Sequence, residues 1–370
     1  MLTKEENDEL TRVGAGTPGG ELLRRYWHPI AVAEQLTPER PKKRIRLLGE
    51  DLVLFRDQAG KHGLVREECP HRGASLLYGF LDDGNIRCAY HGWMYDKTGR
   101  CVEQPFEPAQ SMLKHTVRIP AYPVEKVHGL LFAYLGPLPA PLIPPWDVLA
   151  REDGTRKLAV HPVLEANWLQ VQETNLDPTH NTFLHQRVRA VNEGQPWSFV
   201  PIEELDFEVC EWGIVKRREF GGDDPYREEG HPALFPNVLR HSAPYNGSID
   251  IYWRTPLDDT HTQSFWMSFK PSADGSVVEE NDDPPVDYPL MKDDEGFFHM
   301  QSTPSQDSMA WETQGPLRDR SRERLGASDK GVVLWRQLLK EQIEKVKRGE
   351  DPMGVIRAPT HEIIHFALER

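Results

Sequence analysis

The chain has 370 residues, 38 % of them hydrophobic, and a formal net charge of −14. That acidity argues against a nucleic-acid binder, because phosphate contact demands a surplus of Lys and Arg, and it offers nothing to an anionic membrane surface. The length suits two modest domains or one large one, and ten Trp, ten Tyr and fourteen Phe supply bulk for real cores. No apolar run approaches a membrane span, and MLTKEENDEL is too acidic and polar for a signal peptide. Four cysteines do not suggest a disulfide scaffold, so a cytoplasmic protein with reduced thiols is expected.

In chain order, Leu10 to Trp27 is Gly-rich and then amphipathic at Glu21-Leu-Leu-Arg-Arg-Tyr-Trp, which predicts a short helix and sets residues 1–26 apart as an N-terminal helical segment. Residues 27–138 carry short β-type runs: Ile45-Arg-Leu-Leu, Leu52-Val-Leu-Phe, Leu64-Val, Val117-Arg-Ile and Leu130-Leu-Phe-Ala-Tyr. Turn signals such as Ala59-Gly60 and Asp83-Gly84-Asn85 separate them, so a small all-β unit is expected. Gly136 to Pro145 then holds five prolines in ten residues, which reads as an extended linker and a domain boundary.

The remainder, 139–370, opens with Ala159-Val-His-Pro-Val and a helical run from Trp168 to Glu173. Strands are expected at Phe207 to Glu211, Ile214 to Arg218, Ile249 to Arg254 and Thr262 to Lys270. Ser272 to Tyr288 carries six acidic residues and no basic ones, the composition of a solvated loop. A helix from Val332 to Lys347 closes the chain, with Val333, Trp335, Leu338, Leu339, Ile343 and Val346 on its apolar side.

Chemistry concentrates in two loops of the first unit. Cys69-Pro-His71 and Cys88-Ala-Tyr-His91 each offer one thiolate and one imidazole, the division a mixed iron–sulfur centre needs, with both cysteines on one iron and both histidines on the other. Pro70, Gly73 and Gly92 allow tight backbone approach, and Trp93 is placed to shield one side. A structural zinc is the competing reading, but a finger places both cysteines before both histidines. CPHRGA followed by CAYHGW resembles the Rieske [2Fe–2S] motif, whose histidine ligation raises the reduction potential above that of an all-cysteine cluster.

The second unit contains Asp177-Pro-Thr-His180 and His185. Five residues of α-helix turn roughly 500°, which leaves the two imidazoles about 140° apart. Pro178 starting a helix, Asp177 as its N-cap and a π-bulge between His180 and His185 would bring both rings inward. The spacing Asp-x2-His-x4-His resembles the mononuclear iron site of Rieske-type ring-hydroxylating oxygenases, in which a carboxylate completes a facial triad. Asp307, in Gln306-Asp307-Ser-Met-Ala-Trp-Glu312, is the leading candidate and is expected just before a short helix. Its competing role is an N-cap, and Asp293, Asp294 and Glu312 are the rival ligands.

From Gly20-Glu-Leu-Leu-Arg-Arg-Tyr-Trp27 to the final helix, the chain resembles the oxygenase (alpha) subunit of this family, in its phthalate-dioxygenase-like branch. The resemblance implies an α+β chain: a Rieske all-β domain followed by a helix-grip (START/Bet v1-like) antiparallel sheet with helices. It implies one [2Fe–2S] cluster at Cys69, His71, Cys88 and His91, and one Fe(II) at His180, His185 and Asp307. It also implies a ring of three subunits, with Asp177 as the catalytic bridge between His91 of one subunit and His180 of the next. The expected partners are O2, an aromatic substrate and a flavin/[2Fe–2S] reductase that draws on NAD(P)H, with no nucleic acid and no membrane. The product would be a cis-dihydrodiol, or a monooxygenated or O- or N-dealkylated compound.

Gln172, Glu173, Leu176, Trp266, Met267 and Phe298 are the candidate substrate contacts; some relatives carry Asn where Glu173 stands, and this carboxylate is expected to tune the iron or reach solvent. Arg218 and Arg254 are weighed as partners of a substrate carboxylate and read instead as outward-facing strand residues. A Rieske electron carrier without oxygenase activity, or a zinc-holding scaffold, would be the alternatives, but a carrier needs only the first unit. His361-Glu362-Ile-Ile-His365 matches the zinc-protease pattern and is read as a chance match, because no chain remains for a third ligand.

Overall fold

The computed structural model describes residues 2–222, 226–242, 247–279, 282–360 and 362–366. Two capped helices begin the chain. Thr3 and Glu6 cap Lys4–Thr11 reciprocally, and the Thr17 hydroxyl accepts the Gly20 N–H to start Pro18–Leu23. The predicted helix ends at Leu23, short of Trp27, because Trp27–Val32 is claimed as a strand by Leu130–Tyr134, and all six of its residues are buried.

Three small antiparallel sheets make the first unit. Trp27–Val32, Leu130–Tyr134 and Val124–Val127 form one; Lys42–Leu47, Glu50–Arg56, His62–Arg66 and Ala121–Tyr122 form the second. Phe80–Asp82, Asn85–Arg87, Met94–Tyr95 and Cys101–Glu103 form the third. The run Val117-Arg-Ile is no strand and contributes a single bridge, Arg118 to Arg100.

The second unit is built on an eight-stranded sheet. Its order is Ile202–Cys210, Gly213–Phe220, Tyr226–Leu234, Val238–Ser242, Ile249–Pro256, Thr262–Pro271, Gly154–Leu164 and Val286–Asp287, antiparallel except for the last pair. Alternation divides its residues between two faces. Leu158, Val160, Ile251, Trp253, Phe265, Met267 and Phe269 pack against Trp27, Leu130, Phe132 and Trp146, so one face is welded to the small sheets. Asp250, Tyr252, Arg254, Ser264 and Trp266 take the other face.

The closing helix, Lys330–Lys347, buries Val332, Trp335, Leu339, Ile343 and Val346 at helical spacing against Leu10, Leu22 and Leu23 of the first two helices and Ile214 and Ala233 of the sheet. Val333 points to solvent; the apolar stripe begins one residue earlier. Asn167 starts the buried helix Trp168–Glu173 by accepting the Leu169 N–H, and its amide donates to the carbonyls of Thr11 and Asp259. That helix is thereby fixed to the N-terminal segment and to a sheet turn together.

His28 lies fully buried where the first strand meets the large sheet. One ring nitrogen is 2.8 Å from the Leu23 carbonyl, and the other is 3.3 Å from Asn237 Nδ2, which fits the neutral ring with its proton on Nε2. Burial, with Arg24 adding to it, lowers its pKa to about 4 despite the bond to Leu23. The unfolded chain takes up that proton near the ordinary value of about 6.5, so stability present at neutral pH is lost as pH falls from there toward 4. The expected slope from this residue is at most ~1.4 kcal/mol per pH unit. In denaturation curves taken between pH 7 and pH 5, His28→Gln should lose less stability on acidification than the parent; parallel pH profiles would refute the assignment.

Candidate functional site

The two Cys/His loops are closed by the same pair of backbone hydrogen bonds. The Cys69 N–H donates to the Ala74 carbonyl at 2.9 Å, and the Gly73 N–H donates back to the Cys69 carbonyl at 2.9 Å. In the other loop, the Cys88 N–H donates to Trp93 at 2.8 Å and the Gly92 N–H to Cys88 at 3.0 Å. This turn requires a left-handed residue at the same place in both loops, and Gly73 (φ 76°) and Gly92 (φ 74°) supply it. Both thiols point inward and are buried, while the histidines sit at the outer tip with ring centroids 4.6 Å apart. Trp93 stacks flat on His71 at 4.4 Å, and Tyr90 lies against His91 at 3.8 Å.

Burial pushes the Cys69 thiol up, partly offset by the Tyr95 hydroxyl 3.3 Å from its sulfur. Among the described residues, no three of these four ligand atoms lie within 4.8 Å of one another. A single zinc ion needs such convergence; a centre with a cysteine pair on one iron and a histidine pair on the other does not.

The second constellation does converge. His180, His185 and Asp307 bring one ligand atom each within 4.8 Å of one another, the one such group among the described residues. A π-helical turn, Asn181–Arg187, follows Asp177-Pro-Thr-His180 and turns the two imidazoles toward each other at 5.0 Å, as the five-residue spacing demands. Asp177 accepts the N–H of Thr179 at 2.9 Å and its hydroxyl at 2.6 Å in the turn before the helix; the helix itself begins only after His180 and without a side-chain cap, so Asp177 is not its N-cap and Pro178 does not start it. Asp307 lies inside the helix Thr303–Glu312, not before it, because Pro304 opens that helix three residues earlier. Asp293 is occupied with the N–H groups of Glu295 and Phe297, and Glu312 with Lys292, so neither joins the group.

Asp307 Oδ1 stands 3.3 Å from His185 Nε2 and 4.0 Å from His180 Nε2, buried and without a hydrogen-bond partner among the described residues. The far side of each ring is held: His185 Nδ1 meets Gln306 Oε1 at 2.8 Å, and His180 Nδ1 meets the Asp177 carbonyl. Burial lowers the His180 pKa; at His185, Asp307 and Gln306 outweigh burial and raise it. Trp311 ties the Asp307 helix to the His180 segment by donating to Thr174 Oγ1 at 2.6 Å. Three donors with their outer nitrogens already anchored and one face unfilled suit a non-heme metal ion.

Two family models match the chain: the Rieske [2Fe-2S] domain over residues 26–123 and the LigXa C-terminal domain over residues 279–367. The 5,5'-dehydrodivanillate O-demethylase oxygenase subunit of Sphingobium sp. (strain NBRC 103272 / SYK-6) is 39 % identical across 97 % of this chain and 84 % of its own. The chain belongs to the Rieske oxygenase family, as an oxygenase subunit. The phthalate 4,5-dioxygenase oxygenase subunit of Pseudomonas putida, 32 % identical across 96 % of this chain and 89 % of its own, places it in the phthalate-dioxygenase-like branch. The fold matches the terminal oxygenase of carbazole 1,9a-dioxygenase from Nocardioides aromaticivorans IC177 with a TM-score of 0.66 at 19 % identity, over 92 % of this chain and 98 % of that one. Such an oxygenase carries a [2Fe–2S] cluster and a mononuclear non-heme iron and receives electrons from partner proteins.

Several expected substrate contacts of this oxygenase lie elsewhere. Met267 is on the sheet face packed against the small sheets; it neighbours Trp266 in sequence, and alternation forbids both from sharing the site face. Leu176 is a core residue packed with the closing helix. Glu173 neither reaches solvent nor faces the triad: Arg320 and Arg336 engage both of its oxygens at 2.6–3.2 Å. Gln172 is consumed internally by the Val238 carbonyl and by Asn175. Trp266 stacks at 6.0 Å on Tyr252 of the site face, and Phe298 lies under Lys292 just before the Asp307 helix.

Arg254, read as outward-facing, is buried over the ring of Trp311, and Arg218 reaches the Pro178 carbonyl. His161 and Tyr252 are not singled out by the sequence reading; burial lowers the His161 pKa to about 4 and raises that of Tyr252, and their strand parity with Trp266 is the available signal. Of the zinc-protease pattern, His361 lies outside the described residues, while Ile364 pairs with Trp146 and His365 lies toward Asp147.

The Tyr95 hydroxyl can donate to Cys69 sulfur once the thiol is ionised, and hydrogen bonds to cluster sulfurs stabilise the reduced, more negative state. Tyr95→Phe should therefore lower the cluster potential by roughly 20–60 mV, the equivalent of one modest hydrogen bond for a one-electron couple. A redox titration followed by EPR measures it, and an unchanged or raised potential would rule out the contact.

Proposed function

We propose that this oxygenase holds its cluster with Cys69, His71, Cys88 and His91, holds its iron with His180, His185 and Asp307, and oxygenates an aromatic substrate. The observation that carries the reading is the buried Asp307 Oδ1, which accepts no hydrogen bond among the described residues and stands between two anchored imidazoles. A buried carboxylate oxygen without a donor costs several kcal/mol, and a divalent ion is the group that relieves it. When bound, the two groups supply one-electron storage and a ferrous centre with an open face for O2 and substrate. Gln306 and the Asp177 carbonyl hold each imidazole with its Nε2 aimed inward, and Tyr252, Trp266 and Trp311 provide an aromatic, water-poor surround.

The domain division follows the same roles: a helical segment to residue 26, a cluster unit over 27–138 and a catalytic unit over 139–370. The assembly we favour is a ring of three. Tyr78, Phe80, Tyr90 and Phe106 are exposed on the cluster unit, and Phe183, Val191 and Phe199 are exposed beside the His180–His185 turn. Two unlike apolar patches on one chain make a head-to-tail contact, which closes into a ring when the rotation permits. Asp177, a third exposed and with Oδ1 committed to Thr179, would then offer Oδ2 to His91 of the neighbouring subunit.

The electron donor is taken to be a flavin/[2Fe–2S] reductase using NAD(P)H, and the compartment the cytoplasm. No helix among the described residues is long and apolar enough to cross a membrane. Between O-demethylation and dihydroxylation, the greater similarity to the dehydrodivanillate O-demethylase subunit favours the former.

Iron analysis should find about three irons per chain, two from the cluster and one from the triad. Asp307→Ala is expected to bring this to about two while leaving the Rieske EPR signal intact; retention of the third iron would refute the ligand set. With a generic reductase, NADH and a panel including dehydrodivanillate and phthalate, product should appear by mass spectrometry. Asp177→Ala should retain the cluster spectrum and the third iron yet lose about 10- to 100-fold in turnover, in line with the loss of an outer-shell partner. Undiminished turnover would sink the bridge.

A further inference from the structure

A buried histidine that serves the fold has its ring nitrogens taken up, as His28 does with the Leu23 carbonyl and Asn237. His161 is different. It is 5 % exposed, its ring makes no hydrogen bond among the described residues, and neither ring nitrogen is sealed off from the space beside it. A buried imidazole whose nitrogens are open and unpartnered faces a cavity, because a packed core would leave them neither free nor accessible.

A β-bulge aims this ring. In Gly154–Leu164, Val160 pairs with Phe265 and Val163 with Gln263, so His161 and Pro162 together stand opposite Ser264. Val160 packs into the core between the sheets, whereas Ala159 pairs with Trp266 of the site face, and His161 shares that face with Ala159. Ser264 Oγ accepts from Arg254 Nη1 at 2.9 Å, which brings the guanidinium alongside. Arg254 and Asp307 are the two charges that act on the ring, so His161 opens on the space in front of the metal triad. Burial first and Arg254 second lower its pKa to about 4 against the pull of Asp307, and the ring is neutral at pH 7.

We propose that His161 is a specificity-determining residue whose imidazole accepts a hydrogen bond from a hydroxyl on the ring of the aromatic substrate. This rests on the oxygenase reading above and adds to it a phenolic substrate and the side chain that recognises it. The neutral ring presents a lone pair, and the Arg254 cation opposes its protonation, so the group that fits is a donor. A phenolic oxygen that donates to His161 can still accept from a guanidinium beside it, which an aromatic amine does poorly. Tyr252 and Trp266, stacked at 6.0 Å on the two neighbouring strands, offer the substrate ring its wall.

The test is equilibrium binding to the iron-loaded holoenzyme under argon, by calorimetry, with matched pairs of probes. Guaiacol is compared with anisole, and vanillate with meta-anisate, each pair differing by one hydroxyl. In at least one pair the hydroxylated probe should bind about 3- to 10-fold more tightly, the range for one neutral hydrogen bond. His161→Leu should remove that preference while the hydroxyl-free probe binds parent and variant alike, which shows that the site has kept its shape. His161→Gln, whose amide oxygen can accept in place of the ring, should keep part of the preference.

Equal binding within both pairs by the parent protein, no binding of either hydroxylated probe, or a hydroxyl preference undiminished in His161→Leu would each overturn the proposal. Iron content and oxygen uptake separate it from the oxygenase reading. A three-iron protein that takes up oxygen equally well with and without the hydroxyl keeps the oxygenase function and loses the His161 contact; a protein without the third iron loses the oxygenase reading itself. If His161→Leu fails to fold, the matched pairs on the parent protein and the His161→Gln arm still decide.

Discussion

A carboxylate oxygen buried without a donor is the constraint around which the catalytic unit is arranged. Asp307 Oδ1 accepts no hydrogen bond among the described residues, and the polar atoms beside it are the Nε2 nitrogens of His185 and His180. Pro304 starts the helix early enough to carry Asp307 inward, the π-helical turn swings two histidines to meet it, and Gln306 and the Asp177 carbonyl occupy the ring nitrogens facing away. Trp311 then locks the two segments together through Thr174. Each element is locally unfavourable or neutral: a π turn, a proline start, an unsatisfied acid. Their combination is a preorganised three-donor site.

The same molecule handles its other buried charges in the opposite way. Glu173 sits one turn before the metal-site segment, yet its charge is spent on Arg320 and Arg336, with Asn7 reaching Arg320 from the first helix and Glu323 reaching Arg336. That network ties the N-terminal segment, the buried helix and the closing helix into one body. Internal compensation is thus available in this fold, and Glu173 uses it where Asp307 has only the two imidazoles beside it.

Much of this was legible in the sequence, for reasons that differ from residue to residue. The cluster loops read clearly because each is a self-contained six-residue turn whose glycine and ligands are contiguous. The π turn followed from arithmetic: two histidines five apart cannot share an α-helical face. Asp307 came from resemblance alone, since nothing local distinguishes it from Asp293 or Glu312; only the fold shows that those two are already engaged. Side-chain direction was the weak point. Leu176 and Met267 sit at suitable positions along the chain and face the wrong way, and the strand parity that excludes Met267 beside Trp266 was there to be used. Arg254 was misread for the converse reason, because a strand arginine is ordinarily solvated and sequence does not reveal which face of a two-sided sheet is enclosed.

The large sheet ends in two unlike edges. On one side, Val286–Asp287 adds just two residues in parallel after an acidic loop; on the other, Ile202–Cys210 carries Glu203, Glu204, Asp206 and Glu208. Neither invites another strand: the first is too short to template one, and the second would set like charges against each other. Both edges of the eight-stranded sheet therefore discourage its extension by another strand. Contact with another protein at these edges is then left to side chains, which point substitution can change without disturbing the sheet beneath.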